Sequence, residues 1–97
     1  MAQYDLYAIA SGYVVDVQSD LMDQLNTRIV VPLIPITKAS KPMQRLNPAF
    51  PIQDEEHVLQ PQLLAAVLLS ELQLPVSNIA VHHDEIRSAL DMVFIGF

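Results

Sequence analysis

Two apolar runs near the start of the chain predict a pair of strands. They span residues 4–9 and 13–18, and the short turn between them, at Ser11–Gly12, is typical of a β-hairpin. Every second residue of a strand lies on the same face. The second run therefore predicts a strand with one buried face, formed by Tyr13, Val15 and Val17.

The longest apolar run covers residues 28–36 and predicts a strand buried on both faces. Pro32 and Pro35 interrupt it, and neither residue has an N–H to donate to a neighbouring strand. We therefore expect both prolines at bulges or unpaired edges. A strand that bends at these points can belong to two sheets or to a small barrel.

The middle of the chain has weaker patterns. Residues 37–51 hold three of the seven prolines and predict a loop-like stretch with irregular or short paired structure on the surface. Two short runs, 50–53 and 57–60, flank the acidic residues 54–56 and predict a hairpin with a charged tip. Residues 63–74 have two interpretations: a short helix, favoured by helix propensity, or a helical turn followed by a buried strand.

The last part of the chain predicts an amphipathic helix that begins near Val81 and has Asp84 and Glu85 in its first turn. At about 100° per residue, one apolar face is predicted to join the core. This face consists of Ile86, Ala89, Leu90, Val93 and Phe97, with Phe94 at its border. Ile95 falls on the polar face, so either the last turn unwinds and packs Ile95 against the sheet, or residues 94–97 form an apolar tip that recognises a partner.

Composition indicates one small domain, residues 1–97, with 52% hydrophobic and 16% charged residues. So apolar a chain suggests that a second subunit covers part of its surface. Cysteine is absent, which excludes disulfides and thiolate chemistry. We expect a cytoplasmic protein, since no signal-peptide pattern and no apolar run of about 18 residues is present.

The formal net charge is −6, with five basic residues against eleven acidic ones. Proteins that bind nucleic acid through its phosphates have the opposite balance. The basic residues predict at most one weak local patch, made of Arg28, Lys38, Lys41, Arg45 and Arg87. A protein partner is therefore favoured over direct nucleic-acid binding.

The candidate chemical motifs favour no enzyme, cofactor or metal. Adjacent His82 and His83 diverge by about 100° on a helix and do not converge on a metal as an i, i+4 pair does. His57 is expected to be exposed, with a pH-sensitive hairpin as the alternative. The acidic residues 54–56 are interpreted as a solvated turn rather than as a catalytic carboxylate pair. With two glycines in the chain, a phosphate-binding loop is excluded.

Three segments together resemble the CcdB family of plasmid and chromosomal toxins. They are Val15-Asp-Val-Gln-Ser-Asp20, Arg28-Ile-Val-Val-Pro-Leu33 and Phe94-Ile-Gly-Phe97. The similarity covers nearly the whole chain, although residues 38–78 match in layout more than in sequence. It implies a mainly β fold with a C-terminal helix, namely a small SH3-like β-barrel with an added sheet, assembled as a homodimer.

The resemblance also implies a function. Such a toxin binds the A subunit of DNA gyrase and traps the complex in which the DNA is cut, and a disordered C-terminal segment of a cognate antitoxin neutralises it. We expect that segment to carry apolar anchors and some basic residues, because this chain is acidic. The family's gyrase-facing surface corresponds here to Ser19, Leu21, Met22, Asp91, Phe94, Ile95, Gly96 and Phe97.

This chain departs from the family pattern at three of these positions. Ile95 stands where the best-known members have tryptophan, Phe97 where isoleucine is usual, and Asp91 where a neutral amide is found. An indole offers a stacking face and a hydrogen-bond donor that isoleucine lacks. Two alternatives follow: a toxin-like protein that only sequesters antitoxin, and an mRNA interferase, since that activity occurs on the same fold.

Overall fold

A curled antiparallel sheet and one helix make up the computed structural model, which describes residues 2–96. The strands are β1 Asp5–Ile9, β2 Gly12–Asp16, β3 Thr27–Pro35, β4 Ala49–Ile52, β5 Glu55–Leu59, β6 Ala65–Leu68 and β7 Ser77–Asn78, and helix α1 is His83–Phe94. The order across the sheet is β4-β5-β3-β2-β1-β7, with β6 paired to β3. This confirms the prediction of a mainly β chain with a C-terminal helix, and the curled sheet fits a small β-barrel.

The first hairpin is present, with its turn one residue earlier than predicted. Ile9 pairs with Gly12, so Ala10 and Ser11 form the turn. Gly12 has a φ of +149°, and a Cβ built on it would lie 2.4 Å from the carbonyl oxygen of Leu33. Glycine therefore lets the backbone of β2 approach that of β3 closely.

We expect Gly12→Ala to lower the free energy of unfolding by about 3 kcal/mol, because the added methyl group forces two backbones apart. Gly96→Ala is the matched control, since Gly96 also has a positive φ (+90°) but a Cβ added to it would have no atom within 4 Å. Its cost should be only about 1 kcal/mol, that of the unfavourable backbone conformation. Urea titrations of the two variants and the parent measure both values, and equal losses would contradict the steric explanation.

Strand β3 is the centre of the sheet and pairs with a different strand at each end. One side of it pairs with β2, while the other side pairs with β6 along residues 27–30 and with β5 along 33–35. Pro32 lies between these two partners, and its carbonyl accepts from the N–H of Gln60 at 2.9 Å. The N and C=O of one strand residue point to the same side, so the nitrogen of Pro32 also faces this gap. Pro35 is the last residue of the strand. Pro32 is unpaired only on this side, since it lies opposite Val14 of β2, and Pro35 lies opposite His57 of β5. The expectation of bulges or unpaired edges therefore holds for Pro32 on one side of the strand and is wrong for Pro35.

Both faces of the central strands are buried. On one face the largest cluster packs against α1, and its members include Leu6, Val15, Val31, Leu33, Leu59 and Ile86. On the other face a smaller cluster is formed by Tyr7, Val14 and Val30, with Val67 and Leu72 packed against it. Residues 69–76 cross this second face, since Leu69 N–H donates to Asn26 O and Val76 N–H donates to Leu6 O, both at 2.8 Å.

The prediction of a single buried face for the second strand is therefore wrong. Val14 and Asp16 are buried together with Val15, whereas Tyr13 and Val17 are only partly buried. The reason is the crossing segment 69–76, which covers a face that the alternating pattern assigned to solvent.

Tyr7 places a hydroxyl inside the second cluster. This buried Oη finds no hydrogen-bond partner among residues 2–96. Burial raises the pKa of Tyr7 above its usual value, and the carboxylates of Asp5 and Asp16 raise it further. Ionisation of Tyr7 is thus disfavoured in the folded protein.

We expect Tyr7→Phe to leave the stability at pH 8 within about 1 kcal/mol of the parent, because no protein hydrogen bond is lost. At high pH the two proteins should differ. The folded pKa of Tyr7 lies above the unfolded value of about 10, so its contribution is complete below that pH and is lost as the pH rises further. Urea midpoints at pH 8 and 11 check this, and an equal alkaline loss in both proteins would contradict it.

The second hairpin also forms, between β4 and β5. Its turn is Gln53–Asp54, and both residues have positive φ angles, 50° and 67°. His57 is buried, so the expectation of an exposed histidine is wrong. Its side chain lies on the face of β5 that points to the core, its ring meets that of Tyr13 edge-on at 5.0 Å, and its Nδ1 is 3.0 Å from the carbonyl of Glu55.

For residues 63–74, the interpretation as a helical turn followed by a buried strand is confirmed for the order of the elements, but the strand is not buried. A short 3₁₀ turn, Pro61–Leu63, leads into β6 rather than into a helix. The strand is largely exposed at Ala65, Ala66 and Leu68. It pairs only with β3 among the described strands, and this edge position leaves its side chains open to solvent.

Helix α1 follows a 3₁₀ turn, Ala80–His82. Ile86 and Ala89 are fully buried and Leu90 is partly buried, which confirms the predicted apolar face. Within residues 2–96, no helix has the length and apolar character needed to span a bilayer.

Candidate functional site

The end of α1 overhangs an open apolar pocket of about 270 Å³, which we call the helix-end pocket. Three elements meet there: the last turns of the helix, the segment 19–25 and the beginning of β3. Its lining includes Ser19, Met22, Leu25, Ile29, Leu90 and Phe94. Segments from opposite ends of the chain thus form one surface.

Helical spacing carries Phe94 to this position. Ile86, Leu90 and Phe94 follow one another at intervals of four residues and so share one side of the helix. Ile86 is buried in the core, Leu90 is partly buried, and Phe94 extends past the sheet with 67% of its surface exposed. The stripe that anchors the helix therefore continues into solvent as an exposed apolar surface.

The helix ends in an exposed apolar residue and a glycine. The N–H groups of Ile95 and Gly96 both donate to the carbonyl of Asp91, at 2.8 and 3.1 Å, and close the last turn. Ile95 is 63% exposed, so the alternative in which it packs against the sheet is wrong. The positive φ of Gly96 explains why glycine stands there, since a lack of space does not: an added Cβ would have no atom within 4 Å. Phe97 lies outside the described residues.

The opposite wall of the pocket is the 3₁₀ turn Asp20–Met22. Ser19 caps this turn: its Oγ accepts from Leu21 N–H at 3.2 Å, and its carbonyl accepts from Met22 N–H at 3.0 Å. Leu21 is 95% exposed and lies outside the pocket, in a shallower depression beside it together with Met22, Gln24 and Leu25. The turn presents apolar side chains on both of its sides.

A buried polar network fixes this turn to the sheet. Asp16 and Arg28 are fully buried and form an ion pair, with 2.6 Å between Nε and the carboxylate. The other carboxylate oxygen of Asp16 accepts from Gln18 N–H at 3.0 Å. The side chain of Gln18 accepts from Ile29 N–H at 3.1 Å and donates to the carbonyl of Met22 at 2.8 Å. The position of Met22 is therefore coupled to the ion pair through hydrogen bonds.

Burial of Arg28 also changes the charge distribution. The hydrogen bond with Asp16 raises the pKa of Arg28, so its guanidinium stays charged inside the sheet. It is not part of a surface patch, as the sequence interpretation allowed, and Lys38, Lys41, Arg45 and Arg87 are the basic residues that remain exposed.

The histidines at the start of α1 are held apart by separate contacts. The ring of His82 stacks on Phe50, with centroids 4.4 Å apart. His83 instead contacts the carbonyl of Ala80 at 2.9 Å and the carboxylate of Asp84 at 3.1 Å. In the described part of the chain, no three His, Asp or Glu side chains converge as a metal site would require.

Most of the site residues named from the sequence lie on or beside this surface. Ser19, Met22 and Phe94 line the pocket, Leu21 is adjacent, and Asp91, Ile95 and Gly96 form the helix end. Sequence reasoning missed other lining residues, namely Val17, Gln18, Leu25, Thr27, Ile29, Leu64 and Leu90. For the buried network around Gln18, the one signal in the sequence was the pair of opposite charges, Asp16 and Arg28, inside apolar strands.

A comparison with protein-family models matches residues 3–96 to the family described as CcdB protein. The match spans both walls of the helix-end pocket and the strands that hold them. The chain therefore belongs to the CcdB family, whose members are the toxins of toxin–antitoxin systems.

Proposed function

We propose that this protein poisons DNA gyrase: it binds the A subunit through the helix-end pocket and the helix tip, and it traps the complex with its DNA cleaved. The observation that carries the proposal is the convergence of the helix end with segment 19–25 on one exposed apolar surface in a CcdB-family chain. These are the two segments from which the family's gyrase-facing surface is made.

The chemistry of the surface favours binding a protein. Leu21, Met22, Leu25, Phe94 and Ile95 are all exposed, and clustered exposed apolar side chains indicate a partner. Asp20, Asp23 and Asp91 are exposed on the same segments. An apolar centre with acidic neighbours fits a partner with apolar anchors and basic side chains. Trapping a cleaved complex requires this binding alone and no catalytic group from the toxin.

Ile95 defines how the binding energy is distributed. Where relatives have an indole, this chain presents an aliphatic side chain with no ring to stack and no N–H to donate. Among the residues that the structure describes, Phe94 is then the aromatic side chain at the helix tip. We infer that Phe94 is the dominant contact and that Ile95 adds apolar area.

We further propose a homodimer in which exposed apolar surface is covered by the second copy. The exposed edge strand β6, with Leu68 and Leu69 at its end, is one such surface. Sedimentation equilibrium distinguishes a dimer from a monomer.

We also propose that a cognate antitoxin binds the acidic surface with a disordered tail. Its affinity, measured at low and at high salt, should fall as the salt concentration rises.

The direct test is a cleavage assay with purified protein, DNA gyrase, supercoiled plasmid and ATP, quenched with detergent and protease. We expect linear DNA to accumulate. Removal of residues 95–97 should abolish both linear DNA and growth inhibition, whereas Val81→Ala, an exposed apolar site at the other end of the helix, should change neither. A truncated protein that still kills would contradict the proposal. Antitoxin binding without linear DNA would favour the sequestering alternative.

A further inference from the structure

Met22 is the chemically reactive side chain on the rim of the helix-end pocket. It borders this pocket and also the neighbouring depression beside Leu21, and 51% of its surface is exposed. With no cysteine in the chain, the thioethers of methionine are its readily oxidised sulfur groups. Met22 therefore combines exposure to an oxidant with a position inside a binding surface.

Hydrogen bonds hold the backbone of Met22 at the rim of the pocket. Its N–H donates to the carbonyl of Ser19 at 3.0 Å, and its carbonyl accepts from the side chain of Gln18 at 2.8 Å. Gln18 is itself buried and bonded to Ile29. A modified Met22 would thus keep its backbone position, and the new polar group would stand at the rim of the pocket that Leu90 and Phe94 also line.

We propose that Met22 is an oxidation-sensitive switch of this surface, a role that rests on the proposed function. A hydroperoxide transfers one oxygen atom to the thioether: the S–O bond forms as the O–O bond breaks. Sulfur loses two electrons, and hydrogen peroxide is reduced to water. The sulfoxide is strongly polar, so a partner that buries it must desolvate the S=O group, and binding weakens by about tenfold or more.

The chain contains a matched internal control. Met43 is 59% exposed, slightly more than Met22, but it lies in the loop before β4 and lines neither depression. Met92 is partly buried on α1. Met1 lies outside the described residues and is common to all variants, so it does not affect the comparison.

The test compares the parent, Met22→Leu and Met43→Leu, each reduced and each treated with hydrogen peroxide, with peptide mass spectrometry to quantify every sulfoxide. Leucine conserves volume and cannot be oxidised. Gyrase affinity and linear DNA should fall about tenfold on oxidation in the parent and in Met43→Leu. In Met22→Leu the ratio of oxidised to reduced activity should stay near one, whatever its starting activity. Treatment with methionine sulfoxide reductases should restore the gyrase affinity and the linear DNA yield of the oxidised parent.

A second readout separates this inference from the proposed function. Binding of Nile red, a neutral apolar dye, is measured on the same six samples and requires no gyrase. If the reduced parent yields no linear DNA, the proposed function fails, and the dye alone decides whether oxidation of Met22 closes the pocket to apolar ligands. An equal response of the parent and Met22→Leu to peroxide, or an unoxidised Met22, would overturn the switch.

Discussion

Asp16→Asn should lower the free energy of unfolding by about 3 kcal/mol or more, the largest stability effect that we expect for a single substitution that preserves shape. Removing one charge of a buried pair leaves the other without compensation in a medium that solvates it poorly. Arg28 is fully buried, Asp16 is its one ion-pair partner among residues 2–96, and its Nη2 has no hydrogen-bond partner there. Urea unfolding followed by circular dichroism measures the loss.

Two control variants test whether the loss of stability comes from the unpaired buried charge. Asp23→Asn changes the same group on an exposed turn and should shift the free energy by less than about 0.5 kcal/mol. Replacing Asp16 and Arg28 together by apolar residues of similar volume should recover much of the loss, because no buried charge then remains. An Asp16→Asn protein as stable as the parent would show that the pair is dispensable.

Phe94→Ala should reduce the affinity for the A subunit of gyrase by about 30-fold or more, as expected when the central aromatic contact of an interface is truncated. Its exposure predicts that folding is nearly unaffected, because little of the ring is buried within the protein. Loss of binding should therefore occur without loss of stability. Titration calorimetry with the isolated A subunit, together with the urea midpoint, measures the two quantities.

Val81→Ala is the matched control for this substitution. Val81 is 82% exposed and precedes the same helix, at the end opposite to the helix-end pocket. It should bind gyrase as the parent does. Equal affinities for all three proteins would remove Phe94 from the interface and, with it, the proposed distribution of binding energy at the helix tip.

Local patterns were sufficient to predict most elements of the fold. Apolar runs bounded by turn residues located both hairpins and the long central strand, and a period of 3.6 residues located the helix, whereas β6 was left open between helix and strand and β7 was not predicted. Burial was predicted less well. His57 lies on the face of β5 that points to the core, where its ring meets that of Tyr13 on β2, and Asp16 is buried in an ion pair with Arg28 of β3. The local pattern did not predict this burial, because in both cases the partner lies on another strand.

The candidate site could be predicted only in part, because local patterns identify its residues but not how they come together. Helical periodicity places Phe94 at the border of the apolar face, and the family resemblance adds Ser19, Leu21 and Met22. Remote residues such as Ile29 and Leu90 line one pocket only once the chain has folded. Side-chain properties along the chain do not encode that convergence.

The buried ion pair also has a consequence for how the strands align. Asp16 pairs in register with Val30, which places Asp16 and Arg28 on the same face of the sheet. A slip of β3 by one residue would turn Arg28 to the opposite face, towards Leu6 and Val15 of the neighbouring strands, and would separate the two charges. Apart from its prolines and the close approach at Gly12, the apolar strand β3 has few features that distinguish neighbouring alignments. The pair therefore makes the wrong alignments unfavourable, and it selects a single register even where its net contribution to stability is small.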